Sequence, residues 1–356
     1  MQELTIDAEN NGVMGHKTIL FGQLDFGNAK SFERVRDMAI QRAEVYYRGD
    51  ILIDLEAIFQ ADQLSLLIQK HSFAHEFDKS WRNTVKLIQH ASQFAVSGRI
   101  YGWLVEEGSV SASVVIEPDN DHGSVRHYQR AVGLLESEGM QKQEEALELL
   151  NHAIQAHEGH AQALHARAEL WCELGEKDRA LEDYTCSIRW APILPEGYLG
   201  RSRMYIEAGQ YEDAIMDLTS AVKFGIPHQS YYWEARQMKA ECFMRLGDFR
   251  NAEPEWRLLS RRKFSPKDHQ AGIPLQIATR YGRTLLENGK ADEAIRMIES
   301  MVLENDHSQS TVPLADLLLI RGLAMKKAGK KGFLSVLREA ARAGSEQAAD
   351  LLLTTA

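Results

Sequence analysis

A fixed internal period constrains this chain more than any single motif does. Residues 161–194 and 195–226 align with a shift of 34 positions: Ala168 falls on Ser202, Trp171 on Tyr205, Gly175 on Gly209, Ala180 on Ala214, Tyr184 on Leu218 and Ser187 on Ala221. Each segment carries two helical apolar patterns separated by a glycine, Gly175 or Gly209. A glycine there ends a helix in the left-handed conformation at little steric cost. The small residues let two helices approach closely, and the large ones fill the space between one pair and the next. One such pair cannot bury its apolar face alone, so stability requires a stack of several.

The two segments resemble tetratricopeptide repeats (TPR), a family with small residues, an aromatic and a glycine at these places. Weaker copies flank them. One lies upstream, with Tyr128, Val132, Leu135, Gly139, Ala146, Leu150 and Ala153 at the landmark positions. A downstream copy has Ala240, Phe243, Gly247, Phe249, Ala252 and Trp256; Pro254, inside its second helix, should kink or delay that helix. The next has Gly282, Leu285, Gly289, Ala294 and Ile298, and a degenerate last one has Gly322, Met325 and Gly329. SEQAADLLLTTA then reads as a terminal helix that covers the end of the stack. The resemblance implies a right-handed superhelix of about six helix pairs over residues 125–345, an α-solenoid preceded by a small α+β domain. The expected organisation is a polar N-terminus at 1–15, the α+β domain at 16–117, a linker at 118–124 and the repeats at 125–356.

The α+β region matches no family known to us from its residues. TILFGQLDFG alternates as a strand, and SFERVRDMAIQRAEVYY has helical spacing from Phe32 to Tyr46. ILIDLEAIF is too short to assign by periodicity, and residues 61–93 read as mostly helical. GRIYGWLVEE and SVSASVVIEP form a hairpin signal around Glu107-Gly108. The expectation is three or four strands on two or three helices. An edge strand of this domain, TILFGQLDFG or the hairpin, offers a route to pairing with a second copy. Docking of the domain against the repeats, or binding of a second partner, is the other expectation for it.

Composition narrows the function classes. The 356 residues carry a net charge of −10, which argues against broad affinity for nucleic acid or anionic membranes. No apolar run is long enough to span a bilayer, and MQELTIDAENNG has no signal-like basic and apolar regions. Membrane insertion is therefore not expected, and a cytoplasmic location is. The three cysteines, Cys172, Cys186 and Cys242, match no zinc spacing and read as reduced thiols.

Candidate chemistry is sparse. His152, His157, His160 and His165 crowd one repeat junction, but they span a helix end, a turn and a helix start, so no metal site is expected. His71 and His75 would share a helix face, yet Ser72 stands where a zinc peptidase needs its glutamate. Asp25, Asp54 and Glu56 would cluster only if their strands paired. Neither a dinucleotide fingerprint, a phosphate loop nor a GxSxG turn is present. No catalytic residue, cofactor or metal is expected, and the chain reads as a non-enzyme.

What the resemblance implies instead is a concave groove lined by the first helix of each pair. Carried over residue by residue, the groove set is Gln162, His165, Glu169, Cys172 and Glu173; Glu196, Leu199, Arg203, Ile206 and Glu207; Glu234, Gln237, Glu241, Met244 and Arg245; and Gln276, Thr279, Arg283, Leu286 and Glu287. This lining is mixed and acidic in its middle, and a peptide or helix with basic and apolar groups would complement it. Repeats that clamp a chaperone's C-terminal carboxylate use Lys and Asn where this chain has Gln129, Gly133, Glu169 and Gly200, so that role is not expected. The leading expectation is a protein-binding scaffold or adaptor for complex assembly. The alternatives are a regulatory or catalytic N-terminal domain with repeats that select its target, and a self-assembling structural protein.

Overall fold

The structure, a computed structural model, describes residues 16–76, 78–136, 139–262, 273–304 and 314–355. Expectations for residues 1–15 and for most of the insertion at 261–274 lie outside that set. Packing divides the chain into two units, one ending at Met204 and one starting at Tyr205. Each is described separately.

Among the described residues the first unit opens with five antiparallel strands in the order β2-β3-β1-β4-β5. These are β1 (His16–Asp25), β2 (Phe59–Gln60), β3 (Ser65–His75), β4 (Ser97–Glu106) and β5 (Ser109–Ile116). Three helices accompany them, α1 (Ala29–Val45), α2 (Leu55–Ile58) and α3 (Asp78–Ser92). Successive side chains of a strand face opposite ways. Leu20, Leu24, Leu66, Ile68, Ile100 and Leu104 therefore fall together on one face, where they meet Phe32, Val35 and Ala39 of α1 and Trp81, Leu87 and Ile88 of α3. The other face carries a stack of Phe21, Tyr101 and Trp103, with ring centroids 5.2–5.8 Å apart.

Two readings of this region are corrected. Residues 65–75 form a strand and not a helix, because β3 pairs along nearly its whole length with β1, from His16↔His75 to Asp25↔Ser65. His71 and His75 therefore share no helix face, and the His75 ring bonds Thr18 Oγ1 at 2.7 Å. TILFGQLDFG is not an edge: β1 lies between β3 and β4. Among the described strands β5 ends the sheet, with Val110 and Val115 exposed, so self-pairing through this side would have to use the hairpin. That hairpin turns as expected at Glu107 (φ 51°) and Gly108 (φ 77°), both left-handed, as a tight two-residue turn between twisted strands requires. Asp25 and Asp54 do not act as a pair: Asp54 caps α2, while Asp25 accepts from Gln23 Nε2 and Ser97 Oγ.

Residues 117–122 are tied back onto the sheet layer. Asn120 Nδ2 donates to the carbonyls of Gln93 and Ala95, and Ser124 Oγ donates to Val96 O. From there the chain is helical. Among the described residues the helices follow one another along the sequence as six successive pairs: α4 (Gly123–Leu135) and α5 (Met140–Ala156), α6 (Ala161–Glu173) and α7 (Lys177–Trp190), α8 (Pro195–Glu207) and α9 (Tyr211–Phe224), α10 (Ser230–Arg245) and α11 (Phe249–Ser260), α12 (Ile273–Glu287) and α13 (Ala291–Glu304), and α14 (Leu314–Lys327) and α15 (Phe333–Arg342). A last helix, α16 (Glu346–Thr355), packs on α15. The boundary between the two units falls inside α8.

The same turn closes the first helix of five pairs. Gly175, Gly209, Gly247, Gly289 and Gly329 have φ between 65° and 80°. The amide after each glycine donates back to the landmark residue of the helix: Glu176 to Trp171, Gln210 to Tyr205, Asp248 to Phe243, Lys290 to Leu285 and Lys330 to Met325, at 2.8–2.9 Å. This back-bond satisfies carbonyls that the helix end would otherwise leave unpaired. The small landmarks Ala168, Ala180, Ser202, Ala214, Ala240, Ala252 and Ala294 are all fully buried. Pro254 does not delay its helix, since α11 begins at Phe249 directly after the Gly247-Asp248 turn and runs through it.

Candidate functional site in the first unit

Strand β4 docks onto the first helices of three consecutive pairs. Gly98 N donates to Gln162 Oε1 on α6 at 3.2 Å. Gly98 has φ 114°, and a side chain there would collide with the Gln23 carbonyl, so only glycine brings its amide to this place. One residue on, Arg99 places its guanidinium among four partners: Glu117, Glu196 at 3.5 Å, and the hydroxyls of Tyr101 at 3.1 Å and Tyr128 at 3.4 Å. Tyr101, two residues further along the same face, donates to Glu196 Oε1. Gln23 Nε2 of the neighbouring strand donates to Trp190 O at the end of α7. The expected docking of the α+β layer on the repeats is thus observed within this unit.

Beside this contact lies a cavity of about 460 Å³. Its apolar wall is Val132 and Leu135 of α4, Ala166 of α6 and Leu194 before α8. Arg99, Tyr128, Glu136, Gln162, His165, Glu169 and Glu196 supply its polar lining. The volume lies in the range usual for a ligand pocket, and most such pockets share this mix of apolar wall and few polar groups.

The electrostatics follow from burial. Desolvation opposes the charge on Arg99, but the Tyr101 and Tyr128 phenols and the Glu117 and Glu196 carboxylates around it hold its pKa above the ordinary value. Burial, reinforced by Glu196, raises Tyr101, and burial pushes Tyr128 up to about 12, so both phenols stay neutral donors. Burial lowers His165, and Arg99 and Arg203 add to that, against an opposing pull from Glu169. His165 is therefore an uncharged wall, with its ring edge-on to Tyr184 at 5.6 Å.

Among the described residues two polar atoms of this site have no partner. Glu196 Oε2 and Gln162 Nε2 are both buried and unbonded, one an acceptor and the other a donor. The Gly98 bond fixes which end of the Gln162 amide is oxygen.

The expected groove residues divide by exposure. In the first unit Glu169, Glu173 and Arg203 are exposed and His165 is half-buried. Gln162 and Leu199 are 8% and 5% exposed, so their side chains lie inside the packing. In the second unit Glu207, Arg245, Arg283 and Glu287 are exposed, while Gln237 and Glu241 are half-buried and bond each other at 3.4 Å. Of the crowded histidines, His160 caps α6 by accepting from Ala163 N at 3.3 Å, and its ring lies 4.9 Å from that of Tyr128. Among the described residues no group of three or more His, Cys, Asp or Glu is placed to hold a metal ion.

Sequence reasoning missed Arg99, Tyr101 and Glu117, because nothing local marks a strand residue as part of a helical groove. It also missed a brace between helices: Arg167 grips Asp183 through two bonds of 2.7 and 2.8 Å and reaches Asn151 at 2.7 Å. That brace was readable in principle, since Arg201 and Asp217 repeat the same pair one period later.

The geometry of paired helices, left-handed glycine turns and buried small landmarks agrees with the sequence period. A 96-residue stretch is 32% identical to tetratricopeptide repeat protein 34 of Xenopus laevis, covering 26% of this chain and 17% of that protein. The helical part of this chain has a tetratricopeptide-like repeat architecture. No family model matches the chain. Solved structures similar to it include YrrB, described as a TPR protein with an unusual peptide-binding site, at 16% identity over 59% of this chain and 100% of that one, with a TM-score of 0.49. PilF of Pseudomonas aeruginosa is similar at 15% identity over 65% of this chain and 97% of that one, with a TM-score of 0.44. The chain spans less than a fifth of the length of the curated relative it matches.

Proposed function

We propose that this TPR protein is a non-enzymatic adaptor that holds a segment of a partner polypeptide against the first helices of its repeats. The observation that carries this reading is the 460 Å³ cavity between α4, α6 and α8, which joins an apolar wall to the charged groups of Arg99, Glu136, Glu169 and Glu196. Rigid helices present its lining, and the docked sheet closes one side of it, so the site is pre-organised and little ordering cost falls on the protein when a segment binds. Among the described residues no helix is long and apolar enough to cross a membrane.

The test is capture of a partner from the source cell on the immobilised full chain, followed by cross-linking from Glu173, which is exposed on α6 four residues after the lining residue Glu169. The double variant Glu169→Arg, Arg203→Glu should lose most of the captured partner. Retention equal to that of the unmodified chain, with no cross-link from position 173, would sink the groove reading.

A further inference from the structure

The charge inside the cavity is unbalanced. Its lining holds three carboxylates, Glu136, Glu169 and Glu196, against the single guanidinium of Arg99. Arg99 is already engaged by Glu117, outside the lining, as well as by Glu196. His165 adds no positive charge, because burial holds it neutral. A site with this surplus attracts a cation, and more strongly where water is excluded.

Unpartnered atoms say where that cation goes. Glu196 spends Oε1 on Tyr101 and Arg99, and leaves Oε2 buried with no donor. A buried carboxylate oxygen without a donor carries a desolvation cost that an incoming N–H removes. Gln162 is 8% exposed and bonded through Oε1 to Gly98, and its Nε2 still has hydrogens to give. One cavity thus offers a buried acceptor that wants a cationic donor and a buried donor that wants a carbonyl. An apolar wall at Leu135 and Leu194 runs alongside.

We propose that this cavity, walled jointly by strand β4 and the first three repeats, takes one arginine or lysine side chain of the partner segment. The cationic head meets Glu196 Oε2, with Glu169 and Glu136 at the rim. The methylene stem lies along the apolar wall, and the adjoining main-chain carbonyl accepts from Gln162 Nε2. This rests on the adaptor reading and deepens it. The sheet contributes more than packing: Arg99 and Tyr101 occupy one oxygen of Glu196 and leave the other without a donor, so that the ligand's cation can supply one.

The test uses the full chain and two small probes, N-acetyl-arginine methylamide and its citrulline counterpart, which has the same shape without the charge. Titration calorimetry should show the arginine probe binding about tenfold or more tightly than the citrulline probe, the usual worth of a charged hydrogen bond in a shielded site. Glu196→Gln should remove that preference. Because Glu196 also anchors the sheet, Glu169→Gln and Glu136→Gln, both outside that contact, should each weaken the arginine probe severalfold and leave the citrulline probe unchanged. Equal binding of the two probes, binding of neither, or an arginine affinity indifferent to both rim variants overturns the proposal. If a partner is still captured while the probes fail to discriminate, the basic-side-chain claim falls and the adaptor reading stands. If no partner is captured, the adaptor reading falls.

Discussion

At the level of single residues, the groups that titrate in the first unit act on stability in opposite directions. Burial drives His160 down to about 3 and His157 to about 4, each further lowered by its histidine neighbours. The unfolded chain binds their protons at ordinary histidine pKa and the folded chain does not. Stability is therefore complete above about pH 6.5 and falls as the pH drops toward 4, by about 1.4 kcal/mol per pH unit for each group. Asp25 runs the other way. Desolvation pushes it up to about 6 despite its bonds from Gln23 and Ser97, so the folded state holds a proton that the unfolded state releases. Its ionisation costs stability as the pH rises from about 4 to 6. Urea midpoints at pH 7 and pH 5 separate the two effects. His160→Asn keeps a capping side chain and should lose less stability on acidification than the parent, whereas Asp25→Asn should lose more. Identical pH profiles for parent and variants would contradict both assignments.

Among the elements, the repeats were far more legible than the sheet, and the reason is distance along the chain. Five of the helix pairs share a local closing device, such as the Glu176 amide reaching Trp171, made within a few residues of sequence. A 34-residue period is then enough to read it. The sheet is built from pairings such as His16↔His75 and Lys17↔Val105. No window of sequence contains both members, so SLLIQKHSFAH was open to a helical reading until its partner strand was known. The hairpin was readable because its turn is local. Glu107 sits there at φ 51°, a conformation that asparagine or glycine adopts with less strain. Glu107→Asn should raise stability by about 0.5–1 kcal/mol, seen as a higher urea midpoint with an unchanged slope. A lower midpoint would mean that the glutamate makes a favourable interaction the turn geometry does not reveal. The candidate site was half legible: His165, Glu169 and Glu196 followed from the repeat pattern, while Arg99 and Tyr101 arrive from β4, about 30 to 100 residues upstream of the helical residues they meet.

On the scale of the whole molecule, the turn-rich stretch at 118–124 looks like a place to divide the protein, and the structure gives a reason not to cut there. Division at 124/125 would strip Arg99 of Tyr128 and Glu196, Tyr101 of Glu196, and Gly98 of Gln162. Losing partners of this kind costs on the order of 1–3 kcal/mol for each group left unsatisfied and shielded. Residues 1–124 made alone should therefore show faster amide exchange in β4 than the same strand in the full chain, and adding residues 125–356 back should restore protection. Equal exchange in the fragment and the full chain would show that the docking contacts contribute little. The brace of Arg167, Asp183 and Asn151 gives the helical side its own rigidity at the same junction.

The position of β1 in the sheet also sets an order of events at the ribosome. It precedes the other described strands along the chain, yet it is the innermost, flanked by β3 on one side and β4 on the other. Its hydrophobic run from Ile19 to Phe21 must wait until residue 106 has left the exit tunnel before both its sides are paired, and the β4 face must wait longer still, for Glu196 on α8. Until β3 is made both edges of this apolar strand are open, and until β4 follows one still is, a state prone to capture by other nascent chains. Slow elongation, or a chaperone that shields the strand over that span of synthesis, would favour recovery of the folded protein.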